Sequence, residues 1–588
     1  MSAIDARPPD DSERDLFTPN DDAPGERLRR IDGDKGLSLS ERVAAGLHRL
    51  SYRTALHRIR LRGHFPLKLI AVPADPIPGD RAAGENLVRG RMIHGGHNAM
   101  LRTARFADPA APAAWRDWAH GFGWLRDLAA VTDRQAGSAI AEPLVARWLA
   151  QHAEFDAAAW RPDLVATRLL FWTAYAPYIL SSPDLVYRSA VLNALARSAR
   201  HLDRIVGRLA DGMIRVTAVS GLIAAALVIP GMEARLPRAE GLLGTALDAV
   251  VAPDGGTADR SPLTQLRLVE LLLFVRAAYT ARGRQPADAI TAALARLIPA
   301  LKSVVMGDGA FGAWHGGGSA RPERIDRAVV LSGIMPRPSR SASPAGYQRL
   351  AAGKVFAVVD AAPPPQARAG DAAHAGTLAI ELSDGGSRLI VNCGGACPET
   401  PLSAELAAAL RTTAAHSTLV LADTNSTRIR AGGALGKGVE EVVVNRNESE
   451  DGVWLDMVHD GYVRRFGVCH RRRIFLSADG GNLRGEDLIE SAPGRRLRRR
   501  GARAAFDVRF HLAPAIEITV TADGRGALLK LADGRIWRFR ARGGVLAVDD
   551  SVWIDHDSAA RATHQLVISA TTAAGAGGVS WIFERAGR

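Results

Sequence analysis

Two histidines hold the clearest promise of chemistry in this chain of 588 residues. His374 precedes one stretch of strand-like periodicity, His416 precedes another, and Asn392 closes the strand between them. Neighbouring strands would bring the three side chains together. An imidazole there would be suited to take or give a proton near neutral pH, although a structural role for either histidine stays open at this point. Aromatic residues form a second group: Trp115, Trp118, Phe122, Trp124, Trp160, Trp172, Tyr175 and Tyr178 recur at spacings of three and four. Such spacing belongs mainly to a helical core, while a few indoles could stack on the C–H faces of pyranose rings.

Other motifs fail on their context. Gly307-Asp308-Gly309-Ala310-Phe311-Gly312 matches G-x-G-x-x-G, but it follows a helix and opens none, so it is not a dinucleotide loop. The chain contains no G-x4-G-K-[ST] loop and no H-E-x-x-H. Cys393 and Cys397 have no second pair to complete a zinc site, and three cysteines build no disulfide framework. The run Arg495-Arg496-Leu497-Arg498-Arg499-Arg500 lacks interleaved aromatics for base stacking and reads as a solvated loop, which argues against a nucleic-acid partner.

The elements that must position these residues fall into two kinds. Residues 1–38 are polar and rich in Asp, Pro and Arg, and read as a disordered arm. Residues 39–306 read as helical, with leucine and alanine at three and four spacing in Glu41–Arg60, Leu185–Leu209, Leu263–Ala281 and Ala287–Val305. No strand signal interrupts them, and their number suits a toroid of helical hairpins. The apolar stretch Val216–Met232 is broken by Gly221 and Pro230 and reads as a buried helix, not a membrane span. Residues 307–345 are rich in Gly, Ser, Pro and Arg and read as a linker. Residues 346–588 switch to a period of two. Strands are expected at Val355–Asp360, Thr377–Leu382, Arg388–Asn392, Ser417–Ala422, Val439–Val444, Val453–His459, Arg472–Ser477, Ala515–Val520, Ala527–Leu531, Arg535–Arg540 and His564–Ala570. The predicted architecture is an N-terminal (α/α) toroid followed by a C-terminal antiparallel β-sandwich.

Composition supports a folded globular protein, with 47% apolar and 23% charged residues. The net charge is +13, and only six of the 75 basic residues are Lys. A coding bias toward Arg accounts for this, and so would an anionic partner, since guanidinium groups grip carboxylate, sulfate and phosphate bidentately. The N-terminus is acidic and has no apolar run, so no signal peptide is visible and the cytoplasm is the default location.

Three segments together resemble the heparinase II/III-like family of polysaccharide lyases. They are Ala373-His374-Ala375-Gly376-Thr377-Leu378 through Glu381-Leu382, Leu389-Ile390-Val391-Asn392-Cys393-Gly394, and Thr413-Ala414-Ala415-His416-Ser417-Thr418-Leu419. Gly121-Phe122-Gly123-Trp124-Leu125-Arg126-Asp127, Asp254-Gly255-Gly256 and Arg260-Ser261-Pro262 resemble helical-domain motifs of the same family. The resemblance implies an acidic polysaccharide substrate held in a cleft between toroid and sandwich and cleaved by β-elimination. A cation or amide neutralises the uronate, a base removes the C5 proton, and an acid protonates the leaving oxygen. It also implies a place in the cell envelope or periplasm, which conflicts with the missing signal peptide.

Carried over residue by residue, the resemblance keeps His416, which with His374 forms the expected inner polar cluster of the catalytic site, and His315 or Tyr347 would supply proton transfer in place of the family's own groups. Arg260 becomes the carboxylate clamp, and Trp124 and Trp314 the substrate-stacking indoles. No cofactor is required, and a structural Zn²⁺, if the chain holds one, falls to His374, Asn392 and His416. Neutral Asn is a poor ligand beside a carboxylate. Several family positions depart from the pattern. The first histidine of the family's H-x-H-x-D falls on Ala372 and its aspartate on Gly376, the aspartate of the second segment falls on Asn392, and the Tyr-His pair of the helical domain falls on Thr264-Gln265. These losses motivate the alternative of a non-catalytic glycan-binding or envelope-polysaccharide-processing protein.

Overall fold

The computed structural model describes residues 25–30, 54, 61, 66–318, 320–335, 341–342, 346–365, 372–395, 402–431, 433–492, 503–556, 558–573 and 576–587. The predicted helix Glu41–Arg60 and the arginine run at 495–500 lie outside the described residues, Thr54 apart.

Helices fill the first half. Arg134–His152 and Leu185–Ile205 start at Asp133 and Asp184, whose carboxylates accept N–H groups of the first turn, and Pro262–Ala281 starts at Ser261 in the same way. Met213–Val228 is buried from Ala218 to Val228, as the apolar stretch predicted. It lies so close to Pro162–Ala174 that a Cβ on Gly221 would meet Ala166 Cα at 2.5 Å. Asp288–Ser303 and Pro322–Ser332 pack on Pro262–Ala281. Among the described residues, no helix is long and apolar enough to cross a membrane.

Two parts of the first half depart from expectation. A hairpin, Arg91–His94 with His97–Met100, interrupts the helical text. Its turn is Gly95-Gly96, both at positive φ, the conformation a two-residue hairpin turn requires. The arm is not disordered throughout, because Glu26–Arg29 forms a strand paired antiparallel with Glu441–Val444 at the edge of the sandwich.

The second half is two large antiparallel sheets. One runs, in spatial order, Glu26–Arg29, Glu441–Ser449, Gly452–His459, Val468–Ser477, Asn482–Ser491, Gly577–Ala586, Ile536–Arg542, Gly526–Lys530 and Glu517–Val520. The other runs Val545–Ile554, Ala560–Thr571, Ala505–Leu512, Ser387–Val391, Ile380–Asp384, Val355–Asp360, Tyr347–Ala352 and Ser341–Ala342, with Leu419–Leu421 beside Ala505–Leu512. Leu350, Ile380, Leu455, Ile474, Phe510, Trp537 and Phe583 belong to the apolar core between them. The core of the helical half extends through Trp314 to Tyr347, Val358 and Ala379, so the two halves share apolar contact.

The stretch read as a linker carries structure of its own. Residues 307–313 are pinned to the sandwich through Ser383, Arg388 and Glu381, and Pro322–Ser332 is a helix whose Arg324 makes two 2.7 Å bonds to Glu270. The strand expected from Thr377 begins at Ile380, because Leu378 takes a left-handed turn with φ 64°.

Candidate functional site at the junction

The sandwich sheet edge and the loop after the last helix of the predicted toroid bring most of the predicted site residues together. Register places Tyr347 directly opposite Asp360, and Asp360 lies against both Arg260 and His315. Arg260, at φ 56°, donates to Asp360 and to the carbonyls of Pro363 at 2.8 Å, Ala362 at 3.2 Å and Gly346 at 3.3 Å. The Tyr347 hydroxyl donates back to the Arg260 carbonyl at 2.6 Å. His315 Nε2 lies 3.1 Å from Asp360 Oδ2.

A chain of imidazoles continues from there. The His374 N–H reaches His315 Nδ1 at 3.3 Å, and the Gly316 N–H donates to His374 Nε2 at 3.0 Å. His374 Nδ1 is 3.0 Å from His416 Nε2, and His416 Nδ1 is 2.7 Å from the Thr412 carbonyl. A carbonyl only accepts, so His416 carries its proton on Nδ1. His374 must then donate from Nδ1 and accept at Nε2. Both rings are neutral, and every ring nitrogen of the pair is used.

Burial agrees with that protonation. His315 is 4% exposed, and His374 and His416 are 1% each. Burial pushes the His416 imidazole down to about 4 and holds His374 well below its ordinary value. It lowers His315 too, against the opposing pull of Asp360. Burial alone would raise Asp360, but the Arg260 and His315 charges outweigh it and hold the carboxyl below the usual range. The Tyr347 phenol is raised well above its ordinary value by burial.

The predicted roles do not match this geometry. Arg260 is buried, and its guanidinium is engaged by a carboxylate and three carbonyls of its own chain, so it is not presented as a clamp. Trp124 and Trp314 are 0% and 1% exposed, and neither indole offers a face to a sugar. Trp124 packs on Phe122 in the helical core, apart from the rest, and Trp314 packs on Tyr347. His416, His315 and Tyr347 are likewise turned inward, with their polar atoms directed to neighbouring protein groups.

His374, Asn392 and His416 do not fit a Zn²⁺ site as arranged. Asn392 Oδ1 accepts the Ser417 N–H at 2.9 Å, and its amide donates to Glu381 at 3.1 Å. Among the described residues, no group of three or more His, Cys, Asp or Glu is placed to hold a metal.

Sequence reasoning missed the charges that hold the junction. Glu381, 1% exposed, accepts from the Ala313 and Asn392 N–H groups and from Arg388. Arg388 also forks onto Asp308 with two 2.9 Å bonds, tying residues 308–313 to the sheet. Deeper, Arg472 pairs with Asp487 and donates to the Leu378 and Ser417 carbonyls at 2.8 Å each. His470 and Trp581 complete the shell of Asp487. Inward-pointing charges on strands were the available signal, since a charge facing a core needs a partner there.

The geometry defines a class: a helical domain followed by an antiparallel sandwich, with polar segments buried at their meeting edge. A family profile described as "Heparinase II/III-like, C-terminal" matches residues 334–582. The chain is 32% identical over 536 residues to FtsZ-localized protein C of Caulobacter vibrioides, covering 88% of this chain and 91% of that one. It is similar in fold to a crystal structure of heparinase III, with TM-score 0.67, 13% identity and 95% and 93% of the two chains covered. A mutant of the heparan sulfate lyase HepC from Pedobacter heparinus gives TM-score 0.60, 14% identity and 95% and 92% coverage. The chain belongs to the heparinase II/III-like family, and its fold is the toroid and sandwich of those lyases.

Proposed function

We propose that this chain is a non-catalytic member of its family, a binding protein that localises together with FtsZ. One observation carries the loss of catalysis: the histidines, tyrosine and arginine that would perform β-elimination are sealed and bonded to one another at the junction. A base must present a lone pair to the substrate, and His416, the candidate base, has both ring nitrogens engaged. The first histidine and the aspartate of the family's H-x-H-x-D pattern fall on Ala372 and Gly376, which have no proton to exchange, and its Tyr-His pair falls on Thr264-Gln265. The link to FtsZ is supported by the name and extensive similarity of the Caulobacter relative.

The first test incubates the purified full chain with heparin, heparan sulfate, hyaluronan and alginate and follows the absorbance of the C4–C5 unsaturated uronate. The expected result is no rise with any of them. A rise that disappears in His416→Ala would restore the reading as a carbon–oxygen lyase acting on a uronic-acid polysaccharide. The second test images a fluorescent fusion beside labelled FtsZ. Fluorescence coincident with FtsZ is expected, and a distribution independent of FtsZ would overturn the link.

A further inference from the structure

A hollow on the sandwich has a lining of one chemical kind. It encloses about 360 Å³ and is lined by Arg428, Arg430, Lys437 and Arg464. All four side chains are exposed. None is paired with a carboxylate among the described residues. Three arginines on strands of the first sheet are matched: Arg471 and Arg473 face Asp456, and Arg538 faces Glu584. Four like charges around one concavity repel each other, an arrangement that an anion placed among them relieves.

The cations stand on a braced framework. Arg428 and Lys437 sit opposite each other in a tight hairpin, in which Arg428 N–H donates to the Lys437 carbonyl at 3.0 Å and Gly436 N–H to the Arg428 carbonyl at 2.6 Å. Arg430 N–H closes the tip on the Ala434 carbonyl at 2.9 Å. Gly438 allows the return strand to approach, since a Cβ there would meet Thr427 Cα at 2.2 Å. Arg30, beside the N-terminal strand, donates to the Gly436 carbonyl at 2.9 Å and secures the hairpin from outside. Arg464 comes from the separate turn Val463–Phe466, so the charges converge from two elements.

The chemistry of the lining selects the ligand class. Guanidinium forks match tetrahedral oxyanions bidentately. Among the described residues no aromatic side chain lines the hollow to stack on a base, and the volume suits a small ligand. We propose that this hollow binds a compact ligand carrying several clustered phosphate groups. Such groups occur on free phosphorylated metabolites and at the surface of anionic lipid, and the site would recognise the shared phosphate chemistry. This inference is independent of the function proposed above, and its test reads phosphate binding alone.

Isothermal titration of the full chain with sodium tripolyphosphate, with orthophosphate as comparator, is the direct experiment. Saturable binding of tripolyphosphate, weaker for orthophosphate and weakened by salt, is expected. Arg428→Gln combined with Arg430→Gln should weaken it about tenfold, from two charge-assisted contacts each worth a factor of a few. Arg538→Gln, outside the hollow, should leave it unchanged. A second arm measures retention on phosphatidylcholine vesicles with and without phosphatidylglycerol. Retention lost in the double variant assigns the phosphate to a lipid headgroup, and tripolyphosphate binding without retention assigns it to a free ligand. Failure of both arms, binding unaltered in the double variant, or orthophosphate bound as tightly as tripolyphosphate would each overturn the proposal.

Discussion

Gly376 stands where the family's H-x-H-x-D pattern has aspartate, and the structure leaves no room for a side chain there. A Cβ on Gly376 would lie 2.4 Å from Cδ2, 2.8 Å from Cγ and 2.9 Å from Nε2 of His416. Carbon atoms in comfortable contact are about 3.5–4.0 Å apart, so the ring must move. It has no free direction, being buried and held by the Thr412 carbonyl and by His374. Displacing it breaks two hydrogen bonds of about 1 kcal/mol each and strands a buried imidazole nitrogen for about 1–3 kcal/mol more. The backbone at Gly376 is not left-handed, so alanine there would otherwise gain about 0.4–1 kcal/mol by restricting the unfolded chain. The net prediction for Gly376→Ala is a loss of about 2–4 kcal/mol. Urea denaturation followed by tryptophan fluorescence measures it, and a cycle with His416→Ala isolates the cause. Once the ring is gone, Gly376→Ala should fall to within about 0.5 kcal/mol of neutral or become stabilising. An equal cost in both backgrounds, or a single-variant cost below about 0.5 kcal/mol, would refute the steric argument.

Asp360→Asn should be more damaging, because it leaves the buried Arg260 charge without its carboxylate; a loss of about 3–5 kcal/mol is expected in the same denaturation assay, and one under about 1 kcal/mol would contradict the pairing. Stability should also depend on pH in a definite direction. His416 is held at about 4, and His120 and His511 at about 3, while the unfolded chain titrates each near 6.5. Between those values the unfolded state binds protons that the native state refuses. Stability is therefore full above about pH 6.5 and falls as pH drops, by at most about 1.4 kcal/mol per unit for each histidine. Melting temperatures flat from pH 7 to 8 and declining steadily toward pH 5 are expected; a flat profile across the whole range would show that these imidazoles are not held neutral.

Much of the fold was legible because apolar periodicity reports burial directly. Val355–Asp360 was placed to the residue, and Pro262–Ala281 to within one. The strands that escaped notice did so for separate physical reasons. Asn482–Ser491 alternates inward and outward perfectly, but one of its inward residues is Asp487, the partner of Arg472, and another is Gly485. A buried ion pair erases the hydrophobic alternation on which a strand is recognised. Val545–Ile554 lies at a sheet edge, where its inward residues Leu546 and Val548 are only half-buried, so its alternation reports burial weakly. Glu26–Arg29 is held by backbone pairing to Glu441–Val444, with Leu28 as its one apolar residue. Edge pairing needs no side-chain pattern, so a polar arm and a docked strand look alike in sequence.

For the candidate site, proximity was legible and accessibility was not. Strand order alone predicted that His374, Asn392 and His416 would meet, and they do, through the His374–His416 bond and through Ser417, which Asn392 holds. What no motif reports is where each proton goes. Thr412 accepts from His416, which fixes that ring's tautomer; the tautomer forces His374 to donate from Nδ1; and the remaining nitrogen of His374 then accepts the Gly316 N–H. Each assignment follows from the one before, and the series ends at both sides on backbone. A base in β-elimination needs a nitrogen outside such a closed account. The same residue types that suggest a lyase therefore act, in this arrangement, as a hydrogen-bonded seam: Gly316 belongs to the loop after the helices, Thr412 to the sandwich, and the two imidazoles span the distance between them.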